Sequence, residues 1–396
     1  MIGYLTSEYP SISHTFIRRE IAALRARGLE IRTFSLRRPP RDAPFGERDR
    51  RERSQTWYLQ PAGALSTLAA HLRVLLRSPL LYARALGLAL RSRGPGARAA
   101  IWSFFYFAEG VILAEALRAA GIGHLHVHFA RAGADVARVA SCICGIPWSL
   151  TLHGTADFEY PTVLTLGDKI RSAQFTACAS HFVRAQALRT VEPSSWDRVA
   201  VVRCGVEIPE RVATPQAGHV RLLCVGRLSI EKGHHGLLRA FAEICGAEAG
   251  VQLTCVGDGP LRQELERQAR ELGLGDRVHF AGALSEEDVA AVLSQSHALV
   301  LPSLMEGLPV VLMEAMAHGL PVIAPCVAGI PELVGDEREG LLFAPSDWDA
   351  LAAQLRRIAS DAALRERLGA AGRLRVAGEF SIGRAIEPLW KRFSSS

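Results

Sequence analysis

The chain has 396 residues, 49% hydrophobic and 22% charged, an ordinary globular composition whose length favours two domains over one. Its net charge of +6 is unevenly spread: residues 1–100 hold 18 arginines, no lysine and seven acids, a net of +11 that leaves −5 for the remainder. This asymmetry points to an anionic partner for the N-terminal part, such as phosphates, membrane lipid or nucleic acid. The eight cysteines, with Cys142 and Cys144 the closest pair, show no CxxC and no metal-type spacing, so they read as reduced packing residues of a cytosolic protein.

Ile2–Thr6 reads as an apolar strand rather than a signal peptide. Glu8 to Phe16 is a loop entering a helix with Phe16, Ile17, Ile21 and Leu24 as its buried stripe, ended by Gly28. Ser11, Ser13, His14 and Thr15 thus lie between first strand and first helix, where open α/β sheets bind ligands. A plain N-cap by Ser11 or Ser13 is the other reading. Glu30–Ser35 is a second strand. Arg37 to Arg53, arginine-rich and broken by Pro39, Pro40 and Pro44, reads as a solvated loop, and Thr56–Leu59 as a third strand.

Ala64 to Arg93 is helical in pattern, broken at Pro79 and closed by Gly94-Pro95-Gly96. Leu65, Leu68, Leu72 and Leu75 form an apolar stripe there, and Arg77, Arg84, Arg91 and Arg98 recur every seven residues. Residues 64–98 therefore suit docking on an anionic membrane face, unless the leucines pack into the domain. A helix over Arg98 to Ala120 follows. Its stretch Trp102 to Leu117 comes nearest to a bilayer span, but Glu109 and Glu115 interrupt it.

His124–Phe129 alternates as a strand with His124, His126 and His128 on one face. The spacing suits a metal, although a half-exposed strand accounts for it more simply. A helix over Gly133 to Cys144 leads to strand Trp148–Leu152, with His153 and Gly154 at its carboxyl end. Gln174–Ala177, a helix from Ser180, and Val199–Val202 complete the first domain, and Cys204 to Gly218 reads as a linker.

Beyond it, Leu222–Val225, Val251–Val256, Val278–Phe280, Ala298–Leu301, Val322–Ala324 and Leu341–Phe343 alternate with helices, one opened by a capping box at Ser285 and Asp288. The rhythm implies a doubly wound parallel sheet. No G-x-G-x-x-G or Walker sequence follows its first strand. Instead Gly226-Arg227-Leu228-Ser229-Ile230-Glu231-Lys232-Gly233 brings Arg227 and Lys232 to the carboxyl edge, where a guanidinium fork and an ammonium together suit a diphosphate. Gly257-Asp258-Gly259-Pro260 ends the next strand.

The most informative stretch is Leu301 to Gly329. A strand runs into a loop carrying Glu306, Gly307 and Leu308, then into a helix from Pro309 to Gly319 that is apolar on nearly every side and so expected to be buried. That helix carries Glu314, with His318 one turn on. A buried carboxylate needs partners. The Gly307 and Leu308 amides and the helix dipole offer a place for a polar or anionic ligand.

E-G-L-P-x-x-x-x-E at Glu306–Glu314, followed by A-x-x-x-G-x-P-V-I-A, resembles the E-x7-E motif of family-4 retaining glycosyltransferases of the GT-B fold. G-R-L-x-x-x-K-G resembles the family's phosphate signature, and His153-Gly154 its H-G. P-S-x-S-x-T-F-I-x-x-E-I at Pro10–Ile21 is similar to the colanic-acid and exopolysaccharide branch. Many members carry a glycine pair at this last place, and this chain does not.

The resemblance implies two Rossmann-like doubly wound α/β domains with the ligands in a cleft between them. These would be 1–208 for the acceptor, 209–376 for the nucleotide sugar, and a C-terminal helix, 377–396, crossing back. It implies transfer from a nucleotide-diphosphate sugar to a saccharide or lipid-linked saccharide with retention, in exopolysaccharide or cell-surface glycan synthesis. Arg227 and Lys232 would meet the leaving diphosphate, Glu306 and His153 the sugar, and Glu314 the ribose. Gly154, Gly226, Gly257, Asp258, Gly259, Gly307, Leu308 and Pro309 would complete the donor site, and Ser11, Ser13, His14 and Thr15 an acceptor or phosphate loop. No metal or other cofactor is required on this reading, and no nucleic acid is a partner. The enzyme would be cytoplasmic, peripheral at the inner membrane face. Two rivals are a nucleotide-sugar epimerase of the same fold and a non-catalytic protein that binds an anionic polymer.

Overall fold

The computed structural model describes residues 1–154, 157–160, 165–212, 218–245 and 250–394. The apolar runs become strands of two all-parallel sheets, in two compact units. The first unit comprises Met1–Ala43, Glu47–Arg203 and Ile386–Ser396, and the second Pro44–Gly46 and Cys204–Ala385.

The first unit holds β1 (Ile2–Glu8), β2 (Ile31–Arg37), β3 (Trp57–Tyr58), β4 (His124–His128), β5 (Trp148–Leu152), β6 (Thr176–Cys178) and β7 (Val199–Val201), in the order β3-β2-β1-β4-β5-β6-β7. The chain winds outward from β1 to β3, then returns to place β4 on the other side of β1. That reversal makes the carboxyl ends of β1 and β4 a topological switch point, the usual ligand position in open α/β sheets. The second unit repeats the plan with β8 (Val220–Val225), β9 (Val251–Val256), β10 (Val278–Gly282), β11 (Ala298–Val300), β12 (Val322–Pro325) and β13 (Gly340–Phe343). Their order, β10-β9-β8-β11-β12-β13, puts its switch point between β8 and β11.

The arginine-rich segment is not all solvated loop. Glu47–Gln55 is a helix, because two of its acids, Asp49 and Glu52, are buried against arginines elsewhere. Arg18 Nε lies 2.9 Å from Asp49, and Arg25 donates to Glu52 at 2.6 Å, with Asp49 and Glu52 both buried. The Tyr9 hydroxyl donates to Glu52 at 3.1 Å.

Strand β4 is buried along its whole length rather than half-exposed. Its histidine face is covered by the helix Glu387–Ser394, whose Phe393 ring meets His124 and His126 edge-on, each at 5.4 Å, and Phe175 at 5.8 Å. Arg27 bonds Glu387 and lies over the Trp390 ring, anchoring the helix further.

The long apolar pattern folds as helices Ala64–Arg77, Pro79–Arg91 and Ala97–Ala119. The leucine stripe does not pack inward: Leu65, Leu68, Leu72 and Leu75 are 84, 58, 49 and 41% exposed. The 23-residue helix Ala97–Ala119 is long and apolar enough by length and composition alone to cross a membrane, a property that core helices share, and Glu109 and Glu115 interrupt its apolar run as expected. Both acids are tied to neighbouring elements of the same unit: Gln60 donates to Glu109, and Arg73 and Arg77 to Glu115. Its C-terminal half is core, with Val111, Leu113, Ala114 and Leu117 buried, whereas Ile101, Trp102, Phe104 and Phe105 are exposed.

Candidate active site

In the second unit, loops from the carboxyl ends of β8, β9 and β11 lock together. Gly233 has a φ of +67°, and a Cβ there would overlap the Pro302 carbonyl oxygen, so the loop after β8 lies directly on the loop after β11. The Leu304 amide donates to the Glu231 carbonyl at 2.8 Å, closing the same junction. Gly257, with φ +138°, approaches the Gly226 carbonyl as closely. Leu228 and Asp258 add a 3.0 Å backbone bond. Gly257 and Gly259 thus serve loop packing first, while Asp258 is exposed beside them.

This junction brings Lys232 to Glu306: Nζ donates to Oε1 at 2.5 Å, with the side chains 25% and 8% exposed. The two residues assigned from sequence to phosphate and to sugar are therefore direct partners. Arg227 is exposed at the same edge. Burial raises the pKa of Glu231, but the Ser229 hydroxyl, its own amide, Lys232 and Arg227 outweigh this and hold its carboxyl below the usual range.

Pro309 caps the helix Val310–Ala317, and Gly319 ends it with φ +72°. The helix is not buried all round. Leu312, Met313, Ala315, Met316 and Ala317 face the core, while Val310, Val311, Glu314 and His318 form a half-buried face. Glu314 is thus reachable from solvent at the carboxyl edge. Burial and Arg373 hold the His318 pKa below its ordinary value. Gly307 accepts from the Gly329 amide at 2.9 Å, while Leu308 and Pro309 are buried. Sequence reasoning passed over Ser303, fully buried in this loop, whose hydroxyl has no hydrogen-bond partner among the described residues. Cys326, just past β12, is exposed, unlike the packing role expected of every cysteine.

In the first unit, the ends of β1, β4 and β5 gather a ring cluster. His153 stacks on His128 with centroids 5.1 Å apart, and Phe16 and Phe129 lie 4.6 and 4.8 Å from it. His14 meets Phe129 at 4.9 Å. His153 Nε2 and His128 Nδ1 are 2.8 Å apart, one donating and the other accepting, and His128 Nε2 lies 3.4 Å from Glu20 Oε1. Tyr4 donates to the same carboxylate oxygen at 2.9 Å. The bond to His128 therefore orients His153, and burial, with His128 and His14 alongside, holds its pKa well below the usual value. Burial and His128 likewise lower His14 to about 4.

Asp157, invisible as a site residue from sequence, accepts from the His153 amide at 3.0 Å and the Ala130 amide at 2.9 Å, fixing the loop at Gly154. The sequence pattern extends the strand to Phe129. Instead Phe129 turns left-handed, with φ +69°, to enter the cluster. Ser11 stands at the cap position of a short 3₁₀ turn but makes no side-chain cap bond; its hydroxyl is 3.3 Å from that of Ser13. Ser13 is exposed and Thr15 begins the first helix.

Glu20, His126 and His128 bring potential metal-ligand atoms within 4.8 Å of one another. His126, however, uses both ring nitrogens on hydroxyls, Ser149 at 2.7 Å and Thr151 at 2.9 Å. The group therefore reads as a hydrogen-bonded core network.

Residues 211–375 match the family described as glycosyl transferases group 1. The chain is 31% identical over 272 residues to the 2-deoxystreptamine glucosyltransferase of Streptomyces kanamyceticus, covering 62% of this chain and 70% of that one. It is 34% identical over 169 residues to a putative colanic acid biosynthesis glycosyltransferase, WcaL, of Escherichia coli K12, covering 40% of this chain and 41% of that relative. The structure of Anabaena Alr3699/HepE in complex with UDP-glucose superposes with a TM-score of 0.76 over the full length of both chains at 17% identity, a likeness of fold. The chain belongs to the group 1 glycosyl transferases. Its two parallel-sheet units are those of the GT-B fold.

Proposed function

We propose that the chain transfers a sugar from a nucleotide-diphosphate sugar to a saccharide or lipid-linked saccharide with retention of configuration, in exopolysaccharide or cell-surface glycan synthesis. The observation that carries this reading is the Lys232–Glu306 pair with Arg227 beside it at a switch point. An ammonium and a guanidinium there can neutralise charge developing on a leaving diphosphate. Glu306 can accept from a sugar hydroxyl while Lys232 keeps its charge compensated. Glu314, on the half-buried face of its helix, takes the ribose hydroxyls. His153, held by its bond to His128, takes the sugar. With two cations for the phosphates, no metal is needed. Work at the inner face of a membrane fits the exposed leucines and arginines of residues 64–98.

The test begins with thermal stabilisation by UDP-, GDP- and ADP-sugars, since a donor at a hundredfold excess over Kd adds about 2.7 kcal/mol. With the stabilising donor, NMR of the fresh product should show the donor's anomeric configuration, in EDTA as without it. Inversion, a donor epimerised without acceptor, or activity that only magnesium restores would each overturn the reading.

A further inference from the structure

A cavity of about 660 Å³ lies wholly within the first unit, between the helices Pro79–Arg91, Ala97–Ala119 and Ala132–Cys144. That volume is in the range of small-molecule sites. Arg93, Arg98, Arg131 and Arg138 line it, against two acids, Asp135 and Glu159. Asp135 is already engaged from behind: the buried Lys169 donates to it at 2.9 Å and to the Ala130 carbonyl at 2.6 Å. Arg138 is only 6% exposed, and its Nε has no hydrogen-bond partner among the described residues. A buried guanidinium with an unmet donor, in a cavity whose arginines outnumber its acids, calls for an anion. The first turn of the helix Ala132–Cys144 forms part of the same wall and adds its positive dipole end.

The opposite wall is apolar and aromatic, with Leu88, Trp102, Tyr106 and Tyr160. Trp102 also belongs to the exposed apolar face that continues through Ile101, Phe104 and Phe105. An anion-binding floor thus grades into an uncovered apolar surface. The floor adjoins the loop of His153, because Ala130, beside Arg131, is tied to Asp157.

We propose that this cavity binds the phosphate head of an amphiphile, a polyprenyl-type phosphate or diphosphate carrying the acceptor sugar, whose hydrocarbon chain lies along Trp102 and Phe105. The assignment deepens the transferase reading by naming the acceptor class. The phosphate chemistry alone could equally come from a free nucleotide, so the titration has four probes. Farnesyl diphosphate carries head and tail, inorganic diphosphate the head, farnesol the tail, and UDP the nucleotide source. By calorimetry on the full chain, farnesyl diphosphate should bind about tenfold or more tighter than either inorganic diphosphate or farnesol, and UDP should not displace it.

Arg93→Glu with Arg98→Glu, both exposed and so compatible with folding, should weaken farnesyl diphosphate about tenfold and leave UDP binding within about twofold. Arg138→Gln should do the same where it folds, and Trp102→Ala should weaken farnesyl diphosphate but not inorganic diphosphate. Equal binding of farnesyl diphosphate and either fragment, competition by UDP, or unchanged affinity in the Arg93/Arg98 variant overturns the assignment. UDP binding without farnesyl diphosphate binding would sink the cavity and spare the donor site. The reverse result would sink the donor site and spare the cavity.

Discussion

The Lys232–Glu306 pair invites a double-mutant cycle. At 2.5 Å, with side chains 25% and 8% exposed, it lies between surface pairs and buried ones. Surface pairs contribute about 0–1 kcal/mol, and breaking a buried pair costs about 3–5 kcal/mol. Glu306→Gln leaves an amide oxygen for Lys232 and should cost about 1 kcal/mol. Lys232→Met strands a nearly buried carboxylate and should cost about 2–3 kcal/mol. The double variant has no stranded charge and should cost about 1–2 kcal/mol, a coupling of about 2 kcal/mol. Scanning calorimetry reads this as a shift of roughly 2–4 °C per kcal/mol in the transition of the second unit, identified as the one UDP raises. In the same samples, Lys232→Met should lower UDP affinity about tenfold, whereas Glu306→Gln should keep it and lose turnover. Additive stabilities would mean that the pair is not formed. Equal UDP losses in both single variants would refute the division of labour between phosphate and sugar.

Arg227→Ala should lose about 2–4 kcal/mol of transition-state stabilisation in kcat/KM with an unchanged melting curve, because the side chain is exposed. His124 is buried and burial lowers its pKa from 6.5 to about 4, so between those values the unfolded chain takes a proton that the native one refuses. Its contribution to stability should be intact above pH 6.5 and fall by about 1.4 kcal/mol per pH unit down to about pH 4. NMR should show His14 and His124 still neutral at about pH 5.5, midway in that window. Cys326 is the exposed thiol, while Cys144 is half-buried with its pKa pushed up to about 11, so maleimide at neutral pH should label Cys326 first. UDP should slow that labelling, given the position of Cys326 at the carboxyl edge of β12.

Every strand read from the apolar runs is present, and Trp148–Leu152 and Val251–Val256 have the expected bounds. Those runs are continuous because parallel strands covered on both faces need apolar residues at each position, which makes them legible. The helix Glu47–Gln55 was not, since its order comes from Arg18 and Arg25, partners distant in sequence that no local pattern reveals. The burial of the β4 histidines depended on Phe393, from the far end of the chain. In the candidate site, the motifs of Arg227, Lys232 and Glu306 are local, so the sequence could single these residues out as candidates. The ion pair between Lys232 and Glu306 spans two loops and was not legible. Asp157 and Phe129 carry no signal at all: one acts through backbone amides, the other through a left-handed turn. The half-buried face that holds Glu314 was hidden by a helix that is otherwise apolar in composition.

The helix Glu387–Ser394 belongs to the unit that the chain begins, although the second unit is built in between. During synthesis, therefore, the first unit is completed only after residues 204–385 have been made. While residues 204–385 emerge and close on themselves, β4 waits with its histidine face open. Only when Phe393 leaves the ribosome can that face be sealed. A nascent chain stalled late should thus hold a complete second domain beside an unfinished first one. That makes the helix Glu387–Ser394 a checkpoint on the order of folding of the first unit.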